Sequence, residues 1–160
     1  MTDNQTLQQN ESLTKKVLRL IFILIFVNAV GAVGGGFMTP TSMKWYHTMS
    51  LSPLTPPDYV FAIVWPVLYM MMGISMFLVW HKASPRFFAL QLMCTLLWPF
   101  VFFYMHHIGI ALGVIVALIV FLGLTIKTFY PASKTAAVLL IPQFLWCLFA
   151  FYLNAHLLLG

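Results

Sequence analysis

Residues 107–129 read HIGIALGVIVALIVFLGLTIKTF, an apolar run with a single charged side chain, Lys127, near its end. A helix needs about 20 such residues to cross the hydrocarbon core of a bilayer. Four further runs of this kind lie at about 17–38, 58–80, 85–104 and 135–158. The sequence therefore predicts an all-α integral membrane bundle of five transmembrane helices, the first to fifth spans, with the lipid bilayer as its partner.

The composition of the whole chain supports this prediction. Of its 160 residues, 62% are hydrophobic and only 7% are charged, whereas a soluble domain carries about 25% charged residues. So few charges cannot cover a surface that faces water. The net charge of +5 does not indicate a nucleic-acid partner, because the basic residues are scattered between apolar runs.

Two polar segments flank the first span. Residues 1–14 predict a short disordered tail, which leaves 15–160 as a single membrane domain. Residues 39–57 contain four prolines and predict an ordered lid, re-entrant or interfacial, between the first and second spans. Asp58 follows directly and is predicted to be the N-cap of the second span.

The basic residues predict the topology. One side of the bundle carries Lys44, and the other carries seven basic residues, namely Lys15, Lys16, Arg19, Lys82, Arg86, Lys127 and Lys134. The positive-inside bias then places the N-terminus in the cytoplasm and the C-terminus outside, with a bacterial cell membrane as the expected host.

The first three of the seven also resemble the start of a signal peptide. The apolar run that follows continues through Met38, which favours a retained helix.

Three tryptophans lie deeper than the usual interfacial belt of membrane proteins. They are Trp65, Trp98 and Trp146, and each lies near an internal proline: Pro66, Pro99 and Pro142. Proline frees a helical carbonyl that must be satisfied inside the bundle. The second, third and fifth spans are therefore predicted to bow around a cavity, with Trp65 facing Trp146 and with Tyr69 and Phe102 adding aromatic surface. Such a cavity suits a flat apolar ligand; the alternative is aromatic core packing.

Gly31 and Gly35 form a GxxxG pattern in the first span, which lets two helices approach closely. The pattern predicts either packing within the bundle or a homodimer face.

Four histidines, His47, His106, His107 and His156, fall on or near the outer side and could ligate a tetrapyrrole iron or sense pH, but a wet interfacial histidine is the commoner case. No pattern predicts a catalytic site. No serine has a His and Asp partner, and Cys94 and Cys147 lie inside apolar runs without metal-ligand spacing. We therefore expect no metal and no resident cofactor.

Ordered motifs recur in the lid and along the spans. They are KWY at 44–46, PP at 56–57, FAIVWPVLYMMMG at 61–73, WPFVFF at 98–103, GIAL at 109–112 and LLIPQFLWCLFAFYLN at 139–154. Together they resemble the translocator protein family TspO/MBR, also called the tryptophan-rich sensory protein or peripheral benzodiazepine receptor family. The resemblance runs from the first span almost to the C-terminus.

The resemblance implies a five-helix bundle that binds tetrapyrroles such as protoporphyrin IX and, in some members, sterols and benzodiazepine-type drugs. Trp45, Trp65 and Trp146 would be pocket or lid tryptophans. Tyr69, Trp98 and Ala150 would line the pocket. The chain departs from the family pattern at Leu54, Thr95, Leu96 and Gln143, and these departures affect ligand preference.

Three functions follow as hypotheses. The first is a membrane receptor, sensor or transporter that binds porphyrins or other apolar ligands in an aromatic pocket. The second is an enzyme-like, light-dependent degradation of porphyrin through Trp65 and Trp146, which the family resemblance implies. The third is a structural or assembly protein that uses the GxxxG face.

Overall fold

The computed structural model describes the backbone of residues 3–159 and, within the first helix, the side chains from Leu13 onward. Every regular element in this part of the chain is helical. The elements are α1 (Asp3–Gly35), α2 (Pro40–Tyr46), α3 (Asp58–Leu78), α4 (Arg86–Pro99), a π-helical turn (Phe100–Tyr104), α5 (Ile108–Phe129), α6 (Lys134–Leu139) and α7 (Ile141–Leu159).

Five stretches are long and apolar enough to cross a membrane, which confirms the prediction. They are Leu13–Gly35, Asp58–Leu78, Arg86–Tyr104, Ile108–Phe129 and Lys134–Leu159. Large apolar side chains on their outer faces are exposed, such as Phe22 at 65%, Ile63 at 61% and Leu145 at 59%. Because exposure of these groups to water is unfavourable, these faces contact lipid.

Helix α1 begins at Asp3, so the backbone of residues 3–14 is helical where the sequence indicated a disordered tail. The segment contains neither proline nor glycine. Nothing in its residue types therefore interrupts the helix that continues into the first span.

The five spans form a closed ring. Helix α1 packs against both α3 and α4, α4 packs against α5, and α5 packs against α6 and α7. The ring closes where α6 meets α3. There the Ser75 hydroxyl donates a hydrogen bond of 2.7 Å to the Ala136 carbonyl.

The bundle has two chemically different ends. The basic end holds the seven basic residues predicted to lie together, because the short connections at 79–85 and 130–133 make successive spans antiparallel. The lid end holds α2 and the loop 47–57. A large core of buried residues such as Met72, Val79 and Phe129 fills the basic half. A smaller cluster around Tyr46, Phe102 and Phe103 joins the lid to the third span.

The prolines shape the spans as expected from the loss of a backbone donor. Pro99 ends α4, and the chain continues in the π-helical turn, in which the Met105 amide bonds to the Phe100 carbonyl at 3.0 Å. Pro142 follows the break between α6 and α7. Pro66 lies inside α3.

Candidate ligand cavity

A cavity of about 600 Å³ lies at the lid end. Its walls come from α1, α3, α4 and the segment leading into the lid, with Met38 and Met43 near the top. The second and third spans line it as predicted, whereas the fifth span lines a smaller adjoining cavity. The first span takes the place of the fifth.

The glycines and alanines of α1 account for this difference. Gly31, Ala32, Gly34 and Gly35 line the cavity, so α1 presents backbone and methyl groups where a longer side chain would fill the space. A Cβ atom at Gly35 would meet no heavy atom within 4 Å, whereas one at Gly31 would overlap the ring of Tyr69. Gly31 thus allows α1 to pack closely against Tyr69 of α3, and Gly35 adds no side chain to the cavity that it lines. The homodimer role of this pair stays a prediction.

Aromatic rings from α3 and α4 form further walls of the cavity. Trp65 and Tyr69, one turn apart on α3, have ring centroids 5.8 Å apart, and both line the cavity. Trp98 on α4 also lines it and stacks on Phe102, with centroids 5.3 Å apart and an interplanar angle of 26°. Three of the predicted ligand residues are therefore brought together on one cavity.

Trp98 is held by a polar network that sequence reasoning did not assign to the site. Its indole Nε1 donates to Asn154 Oδ1 on α7 at 3.4 Å, a long bond. Asn154 in turn donates from Nδ2 to the Ile108 carbonyl at 3.0 Å and is buried. The network ties the third, fourth and fifth spans together beside the cavity.

Two small cavities adjoin the large one. One of about 30 Å³ is lined by Phe102 and Ala150, and the other, of about 10 Å³, is lined by Ala150 and Cys147. Both share Trp65 and Trp98 with the large cavity. Phe102 and Ala150 thus lie behind the tryptophan wall, on the side of the fifth span.

Trp146 and Trp45 line none of these three cavities. Trp146 places its ring edge against Phe61, with centroids 5.8 Å apart, and Phe61 itself lines the large cavity. Trp146 therefore contacts the cavity wall at Phe61 and does not itself line the space that Trp65 lines. Trp45 packs in the lid instead, with ring centroids 5.8 Å from Phe102 and 3.9 Å from His106.

The lid is held by hydrogen bonds at the start of α2 and by one to the fifth span. The Thr39 hydroxyl caps α2 by accepting a bond from the Ser42 amide at 3.1 Å. The loop after α2 is fixed by Ser52, whose hydroxyl lies 3.0 Å from that of Tyr152. Burial raises the pKa of Tyr46, so its phenol stays neutral under the lid.

Asp58 has a different role from the predicted N-cap. Helix α3 begins at Asp58 with Pro57 as its N-cap, and no side chain caps it. The Asp58 carboxylate Oδ2 lies 3.0 Å from His47 Nε2 in the lid, and its position in the first turn is still favourable for a negative charge. Asp58 therefore links the lid to the second span while lining the cavity.

Few polar side chains reach the cavity. Asn28, Asp58 and Thr95 line it, and the sequence analysis did not select them as site residues. Asn28 was detectable as an amide inside an apolar span, a type of residue that commonly marks a functional position. Within residues 13–159, the side chains form no group of three metal-ligating residues.

The chain is similar to known proteins over most of its length. A model of the TspO/MBR family matches residues 22–159. The tryptophan-rich protein TspO of Chlorobaculum tepidum is 37% identical over 155 residues, covering 91% of this chain and 98% of the relative. That of Archaeoglobus fulgidus is 32% identical, covering 86% and 94%, and the human translocator protein is 29% identical, covering 76% and 78%. With five spans in the predicted order and a match from the first span to the last, the chain belongs to the TspO/MBR family.

Proposed function

We propose that this chain is a membrane receptor, sensor or transporter that binds protoporphyrin IX or a related tetrapyrrole in the lid-end cavity. The chain is a multi-pass integral membrane protein. Relatives in its family carry the names tryptophan-rich sensory protein and translocator protein. Those names support a sensory or translocator role, and the ligand is our proposal.

The observation that carries the proposal is the cavity itself. Its volume of about 600 Å³ falls within the range of roughly 300–1,000 Å³ found for small-molecule sites. Trp65, Tyr69 and Trp98 give it flat π surfaces, against which a planar conjugated ring system stacks favourably. The small residues of α1 that also line the cavity let such a ring approach the helix backbone.

The polar atoms on the walls are few and differ in kind. Asn28 offers an amide, Thr95 a hydroxyl and Asp58 a carboxylate. A site of this type fixes the orientation of an apolar ligand through a small number of polar contacts. Asp58 Oδ2 lies 3.0 Å from His47 Nε2, and this contact holds the carboxylate at the cavity wall.

Light-dependent porphyrin degradation is a second candidate. Trp65 places an oxidisable indole on the cavity wall, whereas Trp146, the other tryptophan considered for this role, lies behind Phe61. The geometry thus offers two tryptophans, Trp65 and Trp98, in direct reach of a ligand.

Titration of the purified full-length protein with protoporphyrin IX, followed by tryptophan quenching in the dark and by porphyrin absorbance under illumination, separates the candidates. Saturable quenching without loss of porphyrin supports binding alone. Saturable quenching with loss that requires both protein and light supports degradation. Absence of saturable quenching contradicts both and favours a structural role.

A further inference from the structure

A separate cavity, of about 430 Å³, lies at the basic end between α1 and α4, with α3 behind it. Every side chain that lines it is apolar, and the wall includes Phe22, Phe26, Val30, Trp80, Ala89 and Met93. Phe22 and Met93 are 65% and 66% exposed, so this groove opens on the lipid-facing surface. It shares no lining residue with the lid-end cavity.

The length of the groove matches one leaflet of a bilayer. Its wall on α1 runs from Phe22 to Val30, which is about 12 Å at 1.5 Å per residue. Half of the hydrocarbon core is about 15 Å thick. An extended acyl chain lying along α1 would therefore fit the groove with its polar end toward the basic end.

A cation is fixed at that polar end. Arg19 lies one turn before Phe22 on α1, and its Cζ atom is 5.6 Å from the ring centroid of Trp80 in the groove wall. This cation–π contact orients the guanidinium at the mouth of the groove. Lys15 and Lys16 are exposed one further turn along α1, on the helix face they share with Arg19.

These cations have no carboxylate partner in the part of the chain whose side chains are described. Among residues 13–159 the one ion pair joins His47 and Asp58, at the opposite end of the bundle. Arginine presents a planar set of donors that matches a phosphate group. The basic end thus combines an apolar groove of leaflet length with an oriented guanidinium that can donate hydrogen bonds to a phosphate.

We propose that this groove binds one anionic phospholipid, with an acyl chain along α1 and α4 and the phosphate at Arg19. The apolar walls hold the chain of any phospholipid with a matching tail. Arg19 and the neighbouring lysines give the preference for a headgroup with net negative charge, since each basic residue near an anionic membrane surface contributes favourably.

Native mass spectrometry of the full-length protein tests the site, with dioleoyl phosphatidylglycerol or dioleoyl phosphatidylcholine added at equal concentration in detergent. The wild-type protein should retain one phosphatidylglycerol per chain in preference to phosphatidylcholine. Arg19→Gln should lower the ratio of the two retained lipids by about fivefold. Lys127→Gln is the matched control, because it removes one charge from the basic end on α5, which does not line the groove, and it should leave the ratio unchanged.

Ala89→Trp tests the acyl channel separately. Ala89 is exposed in the groove, so the larger ring should displace both lipids while the thermal unfolding temperature stays near that of the wild type. Equal retention of the two lipids by the wild type would overturn the proposal. An equal effect of Lys127→Gln and Arg19→Gln on the lipid ratio would also overturn it. A wild-type dimer that carries no lipid and is lost in Ala89→Trp would overturn it as well, since a second copy of the chain would then occupy the groove. If Ala89→Trp does not fold, the comparison of Arg19→Gln with Lys127→Gln still decides.

Discussion

Gly31 and Gly35, four positions apart on α1, have opposite surroundings and so give opposite predictions. Gly35→Leu places its side chain in open space at a position that lines the cavity, so the protein should stay folded and its affinity for protoporphyrin IX should fall by about tenfold or more. Gly31→Leu meets the Tyr69 ring, and overpacking of this kind costs about 1–3 kcal/mol. It should lower the unfolding temperature in detergent.

The two glycine variants also test the homodimer prediction. Size-exclusion chromatography of Gly35→Leu should show the same oligomeric state as the wild type if the glycines serve the bundle and the cavity. A folded Gly35→Leu monomer from a dimeric wild type would instead identify this face as the dimer contact. A Gly31→Leu variant as stable as the wild type would contradict the packing role.

Single residues also show where sequence reasoning succeeds and where it stops. Trp65, Tyr69 and Trp98 were selected from depth and family motif, and all three lie on the cavity. Trp146 was selected on the same grounds but lies behind Phe61. Depth along a helix follows from counting residues, whereas the rotation of α7 relative to α3 depends on how all five spans pack. Asn28 had a sequence signal, an amide inside an apolar span, but that its side chain lines the cavity depends on the same packing.

At the scale of elements, the lid is held on the third span by aromatic contacts. Trp45 lines no part of the cavity but packs against Phe102 and His106. An aromatic pair contributes about 0.5–1.5 kcal/mol, so Trp45→Ala should loosen the lid and speed porphyrin release by about two- to tenfold. Stopped-flow dissociation would measure the rate, and hydrogen exchange should rise in residues 40–57.

Tyr130→Ala is the control for the lid variant, because Tyr130 is an aromatic residue at the basic end, exposed to 53%. It should change neither the release rate nor exchange in the lid. Unchanged release from Trp45→Ala, together with faster exchange in the lid, would show that the lid does not limit access to the cavity.

Elements differ in how far the sequence predicts them. The five spans and the lid follow from apolar runs and a proline cluster, and they appear at the predicted places within a few residues. The π-helical turn at Phe100–Tyr104 does not follow, because FVFFY has the pattern of an ordinary apolar helix. That turn depends on Pro99 and on the packing of Phe102 and Phe103 under the lid.

At the scale of the whole molecule, the charge asymmetry predicts the orientation in the membrane. Cysteines introduced for Lys82 and Lys127 should be shielded from impermeant thiol reagents in intact cells, and one introduced for Thr48 should be labelled. All three positions are exposed, so shielding reports the side of the membrane rather than burial. Labelling of the first two without the third would reverse the orientation.

The central claim is that the lid-end cavity binds a porphyrin, and a tryptophan series measured by protoporphyrin IX titration tests it most directly. Trp65 lines that cavity, and Trp80 lies 15 residues further along the chain, about 22 Å away in helical rise, in the other groove. Loss of one stacking partner costs on the order of 1 kcal/mol, or about fivefold in affinity.

Trp65→Ala should therefore weaken binding by about fivefold or more. Trp65→Phe should weaken binding less, because it keeps an aromatic face. Trp146→Ala should also weaken binding less than Trp65→Ala, because the Trp146 ring contacts the cavity wall at Phe61. Trp80→Ala should bind as the wild type does. Equal weakening by Trp80→Ala and Trp65→Ala, or wild-type affinity in all four variants, would contradict the assignment of the porphyrin site to this cavity.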